Sequence, residues 1–392
     1  MSTTAERRRS YRGIALFSLG FRPFFLFASA WAAIAVPLWI AAYAGLLPAE
    51  HFTRDWHAHE MVFGYLSGVI AGFLLTAVPN WTGRLPVTGA SLASLFSLWA
   101  AGRIAMLAPS PGAIAAVIDG AFLFVLAAVI AREVIAGKNV RNLPVCVLVT
   151  ILGIANALWH AGAMGELTLL AERIALGVVA MLVALIGGRI VPSFTRNWMA
   201  RQRITPEPAP NGRYDTAALA LTGVALAAWI ATPQSALAGA ALAFAGVLNV
   251  VRVLRWRGWT TVAEPLVLVL HAGYAWLALA LILLGSAQLA PPYVPNAAGL
   301  HALTAGAFGV MTLAVMTRAS LGHTGRPLTA SLSISTIYLL ANLGAAVRVL
   351  SPFFPSAYVP LLALSAALWS GAFVLFVIVY APLLTRPRPG VA

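Results

Sequence analysis

Trp56-His57-Ala58-His59-Glu60-Met61-Val62-Phe63-Gly64-Tyr65-Leu66-Ser67-Gly68-Val69-Ile70-Ala71-Gly72-Phe73-Leu74-Leu75-Thr76-Ala77-Val78-Pro79 decides the fold. From Met61 to Pro79 it holds no charged residue. About 20 apolar residues in a helix span the hydrocarbon core, so the stretch reads as a transmembrane helix. It opens on two histidines and a glutamate. Ionisable groups are costly inside a membrane and mark function there.

The rest of the chain repeats the pattern. Twelve apolar runs fall at roughly 24–46, 57–79, 88–107, 112–132, 143–163, 170–192, 214–232, 235–251, 264–285, 297–317, 329–350 and 357–380. Only 9% of the 392 residues are charged, far below the roughly 25% of soluble domains. The expected fold class is an all-α integral membrane protein of about twelve transmembrane helices. Residues 1–23 form a basic N-terminus, 24–380 the helical domain and 381–392 a C-terminal tail. Arg7-Arg8-Arg9 before an apolar stretch mimics a signal peptide, but the run that follows is too long for one and reads as the first span.

An even number of spans puts both ends on one side. Of the 25 Lys and Arg residues, 21 fall in the termini and the loops of that side. By the positive-inside rule both termini are cytoplasmic. The net charge of +14 is therefore topology rather than a nucleic-acid footprint, and no basic domain stands apart. The single cysteine, Cys146, excludes an intramolecular disulfide, a CxxC pair and an Fe–S cluster on four cysteines. Neither nucleotide-binding glycine motif is present.

Depth then organises the histidines. His57, His59 and Glu60 lie near the outer end of span two, His160 near the outer end of span five, and His301 near that of span ten. Neutral imidazole is the commonest protein metal ligand, so this set reads as haem or copper ligands. Residues i and i+2 of a helix point about 200° apart. If the stretch is helical, His57 and His59 face two different sites; the alternative is that His57 precedes the helix and bends back. Glu60, on the face of His57, is expected to orient it or to handle protons. His271 lies deeper, and like His301 has small neighbours that would admit a flat macrocycle. His323, in the cytoplasmic turn Gly322-His323-Thr324-Gly325-Arg326, reads first as a turn residue and is kept as a candidate metal ligand. Arg103 and Asp119 flank a short hairpin and are expected to pair. Trp56, Trp159 and Trp276 could wall a cofactor pocket.

A faint internal repeat accompanies this. Gly64 and Thr82-Gly83-Arg84 follow His59 at the spacing at which Gly306 and Thr324-Gly325-Arg326 follow His301. Span six ends on Val191-Pro192-Ser193-Phe194-Thr195, much as span two ends on Val78-Pro79-Asn80-Trp81-Thr82. The spacing hints at three four-helix units.

Several motifs carry a resemblance over nearly the whole chain: Gly20-Phe21-Arg22-Pro23-Phe24-Phe25, Trp56 to Gly64, Gly72 to Gly83, His301-Ala302-Leu303-Thr304, and Leu321 to Leu328. The sequence resembles the NnrS family of bacterial membrane proteins. The resemblance implies a multi-pass protein of the cytoplasmic (inner) membrane that contains haem, of the b type, and copper. It also implies a link to nitric oxide, denitrification and protection from nitrosative stress. Nitric oxide is then the small-molecule ligand, membrane lipid the surroundings, and the electron donor unidentified. Haem–copper oxidases and NO reductases also use His-x-His on one of twelve helices, an analogy only, because this chain lacks their adjacent His-His pair. Ligands expected on this reading are His57, His59, His160, His271 and His301, with Glu60 as the candidate catalytic acid of an NO reductase-like oxidoreductase. The rivals are a proton-coupled secondary transporter and a haem-based NO sensor without turnover.

Overall fold

The computed structural model describes residues 13–108, 112–162 and 165–388. Among these there are helices and no strand. The membrane-spanning helices are α1 (Phe21–Tyr43), α2 (Arg54–Thr82), α3 (Gly89–Ala105), α4 (Ala113–Ala136), α5 (Leu143–Ala161), α6 (Glu166–Gln202), α7 (Arg213–Ala231), α8 (Ala236–Arg255), α9 (Pro265–Leu289), α10 (Asn296–His323), α11 (Leu332–Leu350) and α12 (Tyr358–Thr385).

Eleven of these are long and apolar enough to cross a membrane by themselves. The exception is α3, with 17 residues, about 26 Å at 1.5 Å per residue. Two observations show that it crosses. Gly89 follows the end of α2, while Arg103 of α3 reaches back to Glu60 near the start of α2. α3 therefore runs back along most of α2. In addition, Arg22 at the start of α1 donates from Nη1 to the carbonyls of Leu384 and Arg386 at the end of α12, at 3.0 and 2.7 Å. Both chain ends thus lie at one membrane face, which requires an even number of crossings, as expected.

Arg22 is itself buried. It supplies charged donors to carbonyls that a helix end leaves open. Arg22→Ala should expose that last turn at a cost of about 1–3 kcal/mol. Hydrogen exchange at 384–386 should speed up. Unchanged protection there would mean the clasp holds nothing.

The helix limits follow local chemistry. The Thr53 hydroxyl caps α2 by accepting from the Trp56 amide at 3.1 Å. Glu264 and Ser331 cap α9 and α11 in the same way, as expected of such residues. α2 stops at Gly83 with φ +70° and α10 is followed by Gly325 with φ +76°, left-handed positions that glycine takes without strain. Outward apolar side chains such as Ile114, Leu237 and Phe244 are exposed, as lipid-facing residues should be.

Three helices are not regular throughout. α2, α6 and α10 contain π-helical turns at Glu60–Leu66, Val183–Gly187 and Ala302–Phe308. Such turns are rare and recur at functional sites. Packing divides the chain into two compact units rather than three four-helix ones. The first holds the residues up to Val178, together with Ala319–Pro327 and the chain from Phe376 onward; the second holds Val179–Arg318 and Leu328–Leu375. In the second unit α8 and α9 approach closely: a Cβ on Gly246 would stand 2.6 Å from Ile282 Cγ1. Glycine here lets two backbones approach, as is common between membrane helices.

Candidate functional site

At the end of the bundle where α2 and α4 start and α3 and α5 finish, the first unit buries a charged cluster. His59 is the sixth residue of α2 and is fully buried, as is Glu60 beside it. His57 points the other way and stacks on Trp39, ring centroids 4.3 Å apart and planes 17° off parallel. The two histidines therefore face different surroundings, as the 200° offset requires. Around the His59 ring stand Trp159, with centroids 4.3 Å away, and His160, at 5.2 Å.

Glu60 differs from expectation. It does not orient His57; its Oε1 lies 2.8 Å from His59 Nδ1. The widened turn that begins at Glu60 is the physical reason, because i and i+1 side chains do not face each other on a regular helix. Glu60 Oε2 accepts from Trp31 Nε1 at 2.8 Å and from Arg103 Nη1 at 2.5 Å. The expected pair of Arg103 and Asp119 is present, through Nη2 and Oδ1. One guanidinium thus bridges two buried carboxylates.

The other oxygen of Asp119 joins the histidines. Oδ2 lies 3.1 Å from His59 Nε2 and 2.9 Å from His160 Nε2, and accepts from Asn156 Nδ2 at 2.8 Å. A carboxylate only accepts, so Glu60 fixes the His59 proton on Nδ1. The bare Nε2 then faces two oxygens, Asp119 Oδ2 and Asn156 Oδ1, the latter at 3.2 Å. Turning the Asn156 amide over would give His59 a donor but set its oxygen against Asp119. By the same rule His160 Nε2 carries the hydrogen of its bond to Asp119, which leaves His59 Nε2 as the one bare nitrogen facing the carboxylate. Two carboxylates against one guanidinium leave the cluster one positive charge short of neutral, and a buried imbalance is expensive. The place suits one cation, either a second proton on an imidazole or a metal ion. His59, Asp119 and His160 could hold such an ion, their ligand atoms all within 4.8 Å of one another. Two nitrogens and one oxygen suit copper, zinc or iron better than calcium or magnesium.

Asp119 was legible only as the partner of Arg103, and Asn156 not at all. A signal for the second existed, since Asn156 lies four residues before His160 and so shares its face. The remaining candidates lie elsewhere. His271 is buried in the second unit, its Nε2 2.7 Å from Thr195 Oγ1. That hydroxyl donates to the Val191 carbonyl, so His271 Nε2 donates to it and Nδ1 is the bare nitrogen. Nδ1 abuts Gly258, where a Cβ would come within 2.6 Å, and among the described residues His271 belongs to no group of three metal-ligating side chains. His301, also in the second unit, is half-buried, with Nδ1 2.8 Å from the Ala297 carbonyl. His323 packs on Phe21, centroids 5.6 Å apart. His51 lies beside Phe52 in a loop.

The profile of the NnrS family, described as NnrS protein, matches residues 15–388. The chain belongs to the NnrS family. It is a multi-pass membrane protein linked to nitric oxide metabolism. No curated protein matches it. The buried charged cluster lies within the matched part of this NnrS-family chain.

Proposed function

We propose that this NnrS-family chain is a haem and copper protein of the bacterial inner membrane that binds nitric oxide and removes it. It would thereby protect against nitrosative stress and support denitrification. The observation that carries the reading is the convergence of His59 Nε2, His160 Nε2 and Asp119 Oδ2, all within 4.8 Å of one another, in a chain of a nitric oxide-linked family. Nitric oxide is small, uncharged and apolar, so it reaches a lipid-embedded site from the bilayer.

The donor set fits a copper ion, which when bound supplies a centre able to take up nitric oxide and exchange electrons. The chain's own residues do the rest. Glu60 holds His59 in one tautomer and one orientation. Arg103 pins Glu60 and Asp119 together and offsets one of their two charges. Trp159 and Phe63 pack on the His59 ring and keep water from it. Beyond Asp119, which belongs to the site, Glu60 is the next acid and the group through which a proton would be handed on. Reduction of two nitric oxide molecules to nitrous oxide and water takes two electrons and two protons, so it calls for an external one-electron donor. A transporter would keep its ionisable groups near the midplane between broken helices. Here they lie within the outer turns of α2 to α5.

The deciding experiment is the absorption spectrum of the detergent-purified protein, oxidised and dithionite-reduced, before and after nitric oxide, with iron and copper assayed alongside. A Soret band that shifts with nitric oxide, and copper in the preparation, is the expected result. A colourless, metal-free protein from cells supplied with haem and copper would overturn the proposal.

A further inference from the structure

Among the described residues the buried arginines are Arg22, Arg103, Arg252, Arg318 and Arg348. A guanidinium stays charged and carries five N–H donors, so each one buried needs acceptors. All but one find them in the chain. Arg22 donates to two carbonyls at the end of α12, and Arg103 to Glu60 and Asp119. Arg252 donates from Nε to Asp215 Oδ1 at 3.2 Å, and Arg348 from Nη1 to Ser351 Oγ at 3.0 Å. Arg318 is the exception. It is only 9% exposed, yet it has no hydrogen bond or ion pair among the described residues.

Arg318 lies in α10 against Phe194 of α6, its Cζ 4.1 Å from the centre of the ring. An aromatic ring takes the face of a guanidinium and leaves its N–H edges free. The contact therefore orients the group and satisfies none of its donors. Glu264 at the start of α9, Arg201 near the end of α6 and Tyr338 of α11 lie within electrostatic reach. None supplies the acceptor. Glu264 Oε1 caps α9 on the Leu266 amide at 3.3 Å. The Tyr338 hydroxyl is engaged by Thr317 Oγ1 at 2.6 Å. Arg201 adds a second positive charge, so Arg318, Arg201 and Glu264 together leave one positive charge unbalanced.

Depth selects the anion. His323 at the end of α10 packs on Phe21 at the start of α1, so α10 ends at the membrane face that holds both termini. This is the face with the excess of Lys and Arg, where anionic headgroups attract positive charge. Arg318 stands five residues before His323, about 7.5 Å at 1.5 Å per residue. The headgroup region is roughly 5–8 Å deep on each side of the hydrocarbon core. A lipid phosphate arrives at that level without leaving the bilayer, whereas a dissolved anion must shed its water.

We propose that Arg318 binds the phosphodiester group of a membrane phospholipid through the N–H edge that Phe194 leaves free. A phosphodiester carries one negative charge, matching the one left over here, and its two unesterified oxygens match the planar fork. The site lies within the second unit and does not depend on the ion at His59. A lipid held there is part of the fold of that unit.

The test uses full-length protein in detergent, washed free of lipid, with the thermal midpoint followed as phosphatidylglycerol is added. The unsubstituted protein should be stabilised to saturation, and native mass spectrometry should show a retained lipid. Arg318→Met keeps the stem and loses the donors, so apparent affinity should fall about 10–100-fold, the loss of one charge-assisted hydrogen bond. Arg318→Lys keeps the charge without the fork, guards against a Met variant that fails to fold, and should fall between. Arg326→Met, at an exposed arginine of the same face, should change little. Unchanged affinity in Arg318→Met or Arg318→Lys overturns the assignment. So does an equal loss in Arg326→Met, which would mean general surface charge. Stabilisation by inorganic phosphate alone would put a free anion in the site, and equal stabilisation by diacylglycerol would mean that the acyl tails bind; either overturns it.

Discussion

Arg103→Ala should be the most destabilising single substitution in the charged cluster, costing about 3–5 kcal/mol. Removing this guanidinium leaves Glu60 and Asp119 buried, side by side and uncompensated; both are at most 2% exposed. The comparison that makes the result diagnostic is Arg54→Ala. Arg54 makes a two-bonded pair with Glu172 at 2.6–2.7 Å, but its side chain is 54% exposed. Glu172 is 10% exposed, but solvent reaches the Arg54 end of the pair, so its loss should cost less than that of a pair buried at both ends. Thermal unfolding in detergent should rank the two far apart. Adding Glu60→Gln and Asp119→Asn to Arg103→Met should recover much of the loss, because a buried ion group replaced as a whole is often close to neutral. Equal midpoints for Arg103→Ala and Arg54→Ala would show that solvent reaches the cluster.

His160→Ala should have the largest effect on metal. This side chain makes one hydrogen bond, to Asp119, and keeps an 11% exposed edge, so its loss need not disturb the fold. It removes one of the three side chains that could hold the ion. Copper per chain should fall to the level of a preparation without the site, and the thermal midpoint should hardly move. Glu60→Gln acts through His59 rather than on the ion and should weaken binding about 10–100-fold, the usual cost of losing a partner that orients a ligand. His271→Ala should leave metal content unchanged, since that ring donates to Thr195 and abuts Gly258. Full copper in His160→Ala would remove the ion from this cluster.

What the sequence disclosed and what it hid have separate causes. Run length places the helices, because the hydrocarbon thickness is a fixed ruler. It places even the short α3, read as the run 88–107 and found at Gly89–Ala105, whose position is secured by Arg103 at one end and the hairpin to α2 at the other. Depth bookkeeping brings His59 and His160 to one level and pairs Arg103 with Asp119. It says nothing about azimuth. Which carboxylate oxygen faces which ring depends on how four helices rotate about their own axes, and that is set by packing such as Trp159 against His59. Asp119 therefore reads as half of an ion pair when it is also the centre of a ligand set. Glu60 defeats periodicity for another reason: a wheel of 3.6 residues per turn has no place for a π turn, and assigns the carboxylate to the wrong histidine.

The π segment at Glu60–Leu66 also changes what kind of alteration the site can survive. A wider turn holds a residue that an α-helix of the same rise would not. Exchanging Met61 or Val62 for another apolar residue keeps the count and so keeps the ring in place. Losing or gaining a single codon there would rotate everything upstream by about 100°, swinging His59 away from Asp119 even with every ligand still encoded. Descent within the family is therefore free to drift in spelling along this stretch but is held to its length.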